Sequence, residues 1–267
     1  MTFDVSSGVY TVQNAMFDLP RARSAPPSTA QACTGMQSGD CCYTPAIEIP
    51  SSAAHSTAPK KSTFGDAGPI LLHDGAHKLG TLVFSAEPHD AAALAWSADY
   101  TYLSSDNIPD LKWNGGDTLS AAANGGATVG AFVGSVVAPS PFEGLTPKFD
   151  YLGSQTNPLE IQRAKDFVVS WRPDTKSSST IDIGLSASKA TGSLATGSIT
   201  NRGTISCTVK DSAGSVVVPA ELLAKYETGD EGAVLLHRRN GIKLIHLDQA
   251  DVTISATASE ATFVSFK

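Results

Sequence analysis

An alternation of apolar and polar side chains between Asp166 and Val218 leaves this chain few folds to adopt. Phe167, Val169 and Trp171 fall on one face of an extended segment, as do Ile181, Ile183 and Leu185, and again Ile205, Cys207 and Val209. Successive strand residues point to opposite sides, so three such segments in a row describe antiparallel sheet packed on one core. Val216-Val217-Val218 continues the series.

The same reading extends along the chain. Val9–Val12, Ile70–His73, Lys78–Phe84, Thr118–Ala123, Phe132–Ala138 and Leu159–Ile161 are strand candidates, with Asp251–Thr257 and Ala261–Phe266 as two closing strands. Asp74-Gly75 and Asn240-Gly241 are dipeptides preferred in two-residue hairpin turns. A hairpin turning at Asn240-Gly241 pairs Arg239 with Ile242 and Leu236 with Ile245, and puts Arg238-Arg239 at an exposed, solubilising tip. One helix of about two turns is expected from Pro219 to Gly229, with proline in its first turn, Glu221 near the positive end and glycine as the stop. The expected fold is therefore all-β: an antiparallel β-sandwich of jelly-roll type, with one short connecting helix and a long irregular N-terminal segment. Residues 1–63 form that segment, rich in Pro, Ser and Thr and packed on the core; residues 64–267 form the sandwich, whether one or two.

Composition agrees. Of 267 residues 41% are hydrophobic but only 17% charged, a balance that suits strands and loops better than surface helices. The net charge of −7 disfavours a nucleic-acid partner, which requires a basic face. No apolar run approaches the roughly 18–20 residues of a membrane-spanning helix. Met1–Pro20 lacks the basic start and apolar block of a secretory signal, so the chain works inside the cell or its signal has been removed.

The four cysteines favour the second option. Cys33, Cys41 and Cys42 cluster and Cys207 lies far away, in a spacing that matches neither a zinc site nor a redox pair. In a chain poor in charge they read as two disulfides, which places it in an oxidising compartment. Adjacent Cys41 and Cys42 are poorly placed to bridge each other, so Cys33 pairs with one and Cys207 with the other.

Motifs for chemistry are few. The nucleophile elbow, the zinc-protease helix, the phosphate loop, the dinucleotide fingerprint and the EF-hand loop are all missing from the sequence. His73 and His77 fall on opposite faces of their hairpin; His237 and His246 share a face but lack a third ligand. No catalytic or metal residue is assigned. Asp106, Asp110 and Asp117 around Trp113 leave calcium as the one cofactor in view. Trp96, Trp113, Tyr100 and Tyr102 are the candidates for stacking on a sugar, although Trp113, like Trp171, also reads as core.

Several segments together carry a resemblance. They are Trp113–Leu119, Ala131-Phe132 with Val137–Pro141, Asp166–Trp171, and Ile205-Ser206-Cys207 leading to Val218–Leu223. Gly39–Tyr43 and Ala67–Ile70 fit the same pattern. The chain resembles secreted or lipid-anchored β-sandwich proteins of unknown function from myxobacteria and their relatives. The resemblance implies a bacterial envelope or extracellular location and no particular activity. The expected function is a non-catalytic extracellular or cell-surface protein with a structural or binding role, its partner a surface glycan or another envelope protein. A carbohydrate-binding module, a hydrolase or lyase on the same scaffold, and a self-assembling capsid-like or filament subunit are the alternatives.

Overall fold

The computed structural model describes residues 2–6, 9–13, 33–46, 66–84, 102–104, 113–150, 156–176, 178–191, 198–247 and 251–267. In chain order the strands are β1 (Thr2–Ser6), β2 (Val9–Gln13), β3 (Met36–Ser38), β4 (Cys41–Thr44), β5 (Ile70–Asp74), β6 (His77–Phe84), β7 (Tyr102–Ser104) and β8 (Thr118–Ala123). They continue as β9 (Phe132–Val137), β10 (Leu159–Ile161), β11 (Phe167–Ser170), β12 (Thr180–Thr191), β13 (Ser198–Lys210), β14 (Ser215–Val218), β15 (Glu231–His246) and β16 (Asp251–Phe266). A single four-residue helix, α1 (Ala220–Leu223), is the only α-helix among the described residues. The protein is all-β, and among the strand pairs with described register all are antiparallel apart from β10 beside β16.

The chain divides into two compact units, each assembled from separate stretches. The first comprises Met1–Thr29, Pro50–Ser140 and Asn240–Thr257. Its main sheet has five strands in the order β7-β6-β5-β8-β9. Ile70, Leu72, Leu82, Leu119, Ala121, Phe132 and Val136 are buried on one face. Leu71, Val133 and Val137 lie exposed on the other.

The second unit comprises Ala30–Ile49, Pro141–Arg239 and Ala258–Lys267. Its principal sheet runs β15-β12-β13-β4-β3, and β11 and β14 form a separate two-stranded sheet. Both sheets feed one core. Val169, Trp171, Val216 and Val218 from the small sheet join Ile181, Ile183, Leu185, Ile205, Cys207, Val234 and Leu236 from the large one. Seven of the nine alternating positions that the sequence marks, Val169, Trp171, Ile181, Ile183, Leu185, Ile205 and Cys207, are in this core, and Phe167 and Val209 are partly buried against it; Ile183 and Ile205 are 1% and 0% exposed.

Two disulfides staple this unit: Cys33–Cys42 and Cys41–Cys207. Cys41 and Cys207 are also register partners across β4 and β13. By loop-closure entropy the bridge spanning 166 residues stabilises by about 5 kcal/mol and the one spanning 9 residues by about 2.5 kcal/mol. Tyr226 adds a polar pin to the core. Its hydroxyl donates to the Leu185 carbonyl (2.8 Å) and accepts from the Ile205 N–H (3.2 Å), so it stands between two partnered strand residues. Burial pushes this phenol well above its ordinary range.

Local turn preferences fail at three places. Asn240-Gly241 makes no turn, because β15 runs straight through it from Glu231 to His246. Val234, Leu236, Arg238 and Asn240 keep strict alternation and are all buried, and the Asn240 amide donates to the Val137 carbonyl at 2.7 Å. A continuous sixteen-residue strand, with these four side chains buried, outweighs a dipeptide preference. The Arg238-Arg239 pair is consequently no exposed tip: Arg238 is 1% exposed. Likewise β16 is one continuous strand where the sequence suggests two. The β5–β6 turn is centred on Gly75-Ala76, one residue beyond Asp74-Gly75, with Asp74 facing His77 and a register shift beside Leu72. The left-handed φ of 53° at Gly75 explains why glycine sits in that turn. The helix begins after Pro219 as expected but spans one turn.

Candidate binding groove

A groove of about 670 Å³ opens in the second unit. One wall is the end of β13 with Thr208, Val209 and Lys210, and the other is β14 with Ser215, Val216 and Val217. The tight turn from Ser38 to Asp40 closes one end. The two walls are consecutive strands that do not pair with each other.

Hydrogen-bond directions explain the gap. Ser170 on β11 exchanges both main-chain bonds with Thr146 (2.8 and 2.9 Å), so it faces away from β14. Its register partner Ser215 therefore also faces away from β11, and so does Val217, two residues on. Val216 and Val218 bond to β11 instead. The Val217 carbonyl lies 3.5 Å from Cys41 Sγ. That sulfur is in a disulfide and has no proton, so this is packing and not a hydrogen bond. On the opposite wall the Thr208 N–H donates to the Asp40 carbonyl at 3.2 Å. Even-numbered residues of β13 thus direct their main chain towards β4. Because β4 begins at Cys41, the main chain of Lys210 faces the groove. Val217 and its cross-strand neighbour Val168 are 46% and 49% exposed beside it.

The turn joining the two walls is held by a buried ion pair. Arg238 Nε and Nη2 lie 3.2 and 3.1 Å from Asp211 Oδ1. Arg238 also donates to the Pro141 carbonyl (3.0 Å) and the Arg172 carbonyl (2.7 Å), and its guanidinium stacks 4.4 Å from the Phe142 ring centre. Asp211 accepts the Asp174 N–H on its other carboxylate oxygen (2.6 Å), and its carbonyl accepts from Trp171 Nε1 (3.1 Å) and the Gly214 N–H (3.1 Å). Both charges are thus desolvated but richly bonded, the condition under which a buried pair is tolerated.

A row of polar side chains crosses the outer face of the same sheet. Thr208 Oγ1 donates to Asp182 Oδ1 (2.7 Å), Asp182 is the register partner of His237, and His237 Nδ1 lies 2.8 Å from Ser259 Oγ. Asp, His and Ser in sequence suggest a nucleophilic triad, but the geometry differs from one. The serine meets Nδ1, which a triad reserves for the carboxylate, and Asp182 Oδ2 is held by Arg239 at 3.1 Å. Ser259 sits within a strand, where its backbone serves the ladder and not an oxyanion.

The sequence candidates are scattered. Trp113 is 3% exposed and Trp171 5% exposed, so neither presents a ring face for stacking. Trp96 and Tyr100 lie outside the described residues, and Tyr102 opens β7 opposite Phe84. Asp106 and Asp110 also lie outside them. Asp117 Oδ2 accepts from the Asn114 N–H and from Asn114 Nδ2 within its own turn. His73 pairs with Lys78 and His77 with Asp74. No group of three His, Cys, Asp or Glu side chains gathers as a metal site among the described residues. The groove residues went unmarked in the sequence. The available signal was Val216-Val217-Val218, an apolar run in which alternation forces one valine outward.

Asp74 lies at the turn end of the β5–β6 hairpin, within electrostatic reach of Asp117 and facing His77. Burial, then the charge of Asp117, raises the Asp74 pKa, and His77 opposes the shift. A carboxyl whose folded pKa is raised stabilises the fold below its unfolded pKa and loses that contribution as pH rises through the folded value. Asp74→Asn is therefore expected to raise stability at pH 7 and leave it unchanged near pH 3 in paired urea titrations.

For the ion pair, Arg238→Met is expected to lower unfolding free energy by about 3–5 kcal/mol, because Asp211 stays buried without its partner. Adding Asp211→Leu is expected to recover part of that loss, and denaturation of the three variants measures the coupling. Comparison with known proteins finds no matching family model, no similar curated protein and no similar solved structure.

Proposed function

We propose that this is a non-catalytic extracellular or cell-surface protein with a binding role, and that the groove between β13 and β14 is its binding surface. The observation that carries the reading is the double staple of that unit. All four cysteines are in disulfides, and one bridge backs directly onto the groove wall at Val217. Chains that persist in this form belong to oxidising compartments. The sequence resemblance to secreted and lipid-anchored envelope proteins points the same way. Among the described residues no helix is long and apolar enough to cross a membrane.

The groove suits binding better than chemistry. Its lining combines hydroxyl groups from Ser38, Thr180, Thr208 and Ser215 with apolar Val209, Ala213, Val216 and Val217, and its charged groups are Asp40 and Lys210. This is the mixture of apolar floor and few polar anchors found in recognition sites.

The test uses cells that produce the protein. Intact cells are treated with a mild reductant and then with a thiol reagent that does not cross membranes. Cys33 and Cys42, both partly exposed, are expected to label, and Cys41 and Cys207 only after unfolding. Four free thiols before reduction, or labelling only after lysis, would contradict the location.

A further inference from the structure

We infer that the groove takes an extended peptide segment of a partner protein by strand addition. This rests on the reading of the groove as a binding surface and names the class of its ligand. The Ser215 and Val217 N–H groups and the Ser215 carbonyl face the groove on one wall, and the main chain of Lys210 faces it on the other. Outside the strand ladders none of these groups has a hydrogen-bond partner among the described residues. Main-chain donors and acceptors repeated every second residue are matched by another extended backbone and not by the hydroxyls of a sugar.

Position and length follow. The Ser38–Asp40 turn and the Cys41 sulfur close the groove at the Val217 end, so an incoming strand lies on the line of β4, end to end with it. About four residues, roughly 13 Å of extended chain, cover the wall from Ser215 to Val218. The outward face of β14 carries Val217 beside Val168, which suits a β-branched side chain on the ligand.

Charge sets direction. Lys210 has no ion-pair partner among the described residues and stands beside Ser215, across the turn that joins the walls. Asp40 stands at the closed end, with Glu221 bonded to Ser38 just beyond. A segment with an acidic residue next to Lys210 and a basic residue towards Asp40 is complementary in one orientation only.

The probe is a displayed library of random nonapeptides, selected on the disulfide-intact full chain. Enriched peptides are expected to be free of proline over a four-residue core, rich in Val, Ile or Thr, and acidic at one end. Removing the groove donor with Ser215→Pro is expected to weaken them about fivefold. Lys210→Glu is expected to weaken them about threefold and to favour peptides with the charge order reversed. Should Ser215→Pro not fold, N-methylation of alternate amides in the peptide removes the same bonds from the ligand side, and every second position is expected to be sensitive. Failure to enrich any peptide sensitive to these changes overturns strand addition. So does dimerisation of the wild-type chain that Lys210→Glu abolishes, which assigns the groove to a second copy. Binding to an oligosaccharide array that Lys210→Glu abolishes also overturns it while leaving the groove a binding surface. Thiol labelling on intact cells is independent of all these outcomes, so the two readings fail separately.

Discussion

The buried pair between Arg238 and Asp211 is the interaction on which the rest of the second unit depends. β13 and β14 are consecutive in the chain, and strands so placed normally close into a hairpin. Here the chain between them makes a short helical turn over Asp211–Ala213 and leaves through Gly214 in a left-handed conformation. Asp211 fixes that turn, and Arg238 ties it to the carbonyls of Pro141 and Arg172. β14 is thereby diverted to pair with β11, and its second edge is left open. An exposed strand edge is ordinarily a liability that proteins cover or blunt. Here the Cys41–Cys207 bridge backs one end of it and a lysine stands at the other, so an open edge persists without being long.

Rigidity of this kind suits the peptide binding proposed for the groove. A short peptide loses conformational entropy when it docks, and a receptor that must order itself as well adds to that cost. Two disulfides, a desolvated ion pair and the Tyr226 hydroxyl set between Leu185 and Ile205 hold the walls in place beforehand. The first unit treats its own edge differently. β9 ends its sheet, yet its Val137 carbonyl is capped by Asn240. One edge is blunted by a side chain, and the other carries the Ser215 and Val217 amides, which face away from β11.

Much of the fold was legible in the sequence because side-chain alternation has a fixed period of two and survives without knowledge of partners. Val169-Trp171 and Ile181-Ile183-Leu185 pointed to the core, and the adjacency of Cys41 and Cys42 suggested that they bridge to different partners but left open which of them takes Cys207. What was not legible depended on contacts distant in sequence. Asn240-Gly241 carries a strong turn preference, but nothing local reveals that its amide will meet Val137. Arg238 reads as a solubilising charge until Asp211, Pro141 and Arg172 are brought around it. The groove was hidden for a related reason. It is made of main-chain groups whose direction follows from the pairing of β11 with β14, and main-chain direction leaves no mark on residue type. Only the surplus valine at 217 hinted at it.

Residue-resolved hydrogen exchange on the native chain tests this account most directly. Along β14 the amides of Val216 and Val218 are bonded to β11, and those of Ser215 and Val217 face the groove. The account predicts slow exchange at 216 and 218 and fast exchange at 215 and 217, with the contrast collapsing to uniformly fast exchange in Asp211→Ala. Equal protection at all four amides in the wild-type chain would mean that the edge is already paired, and would contradict it.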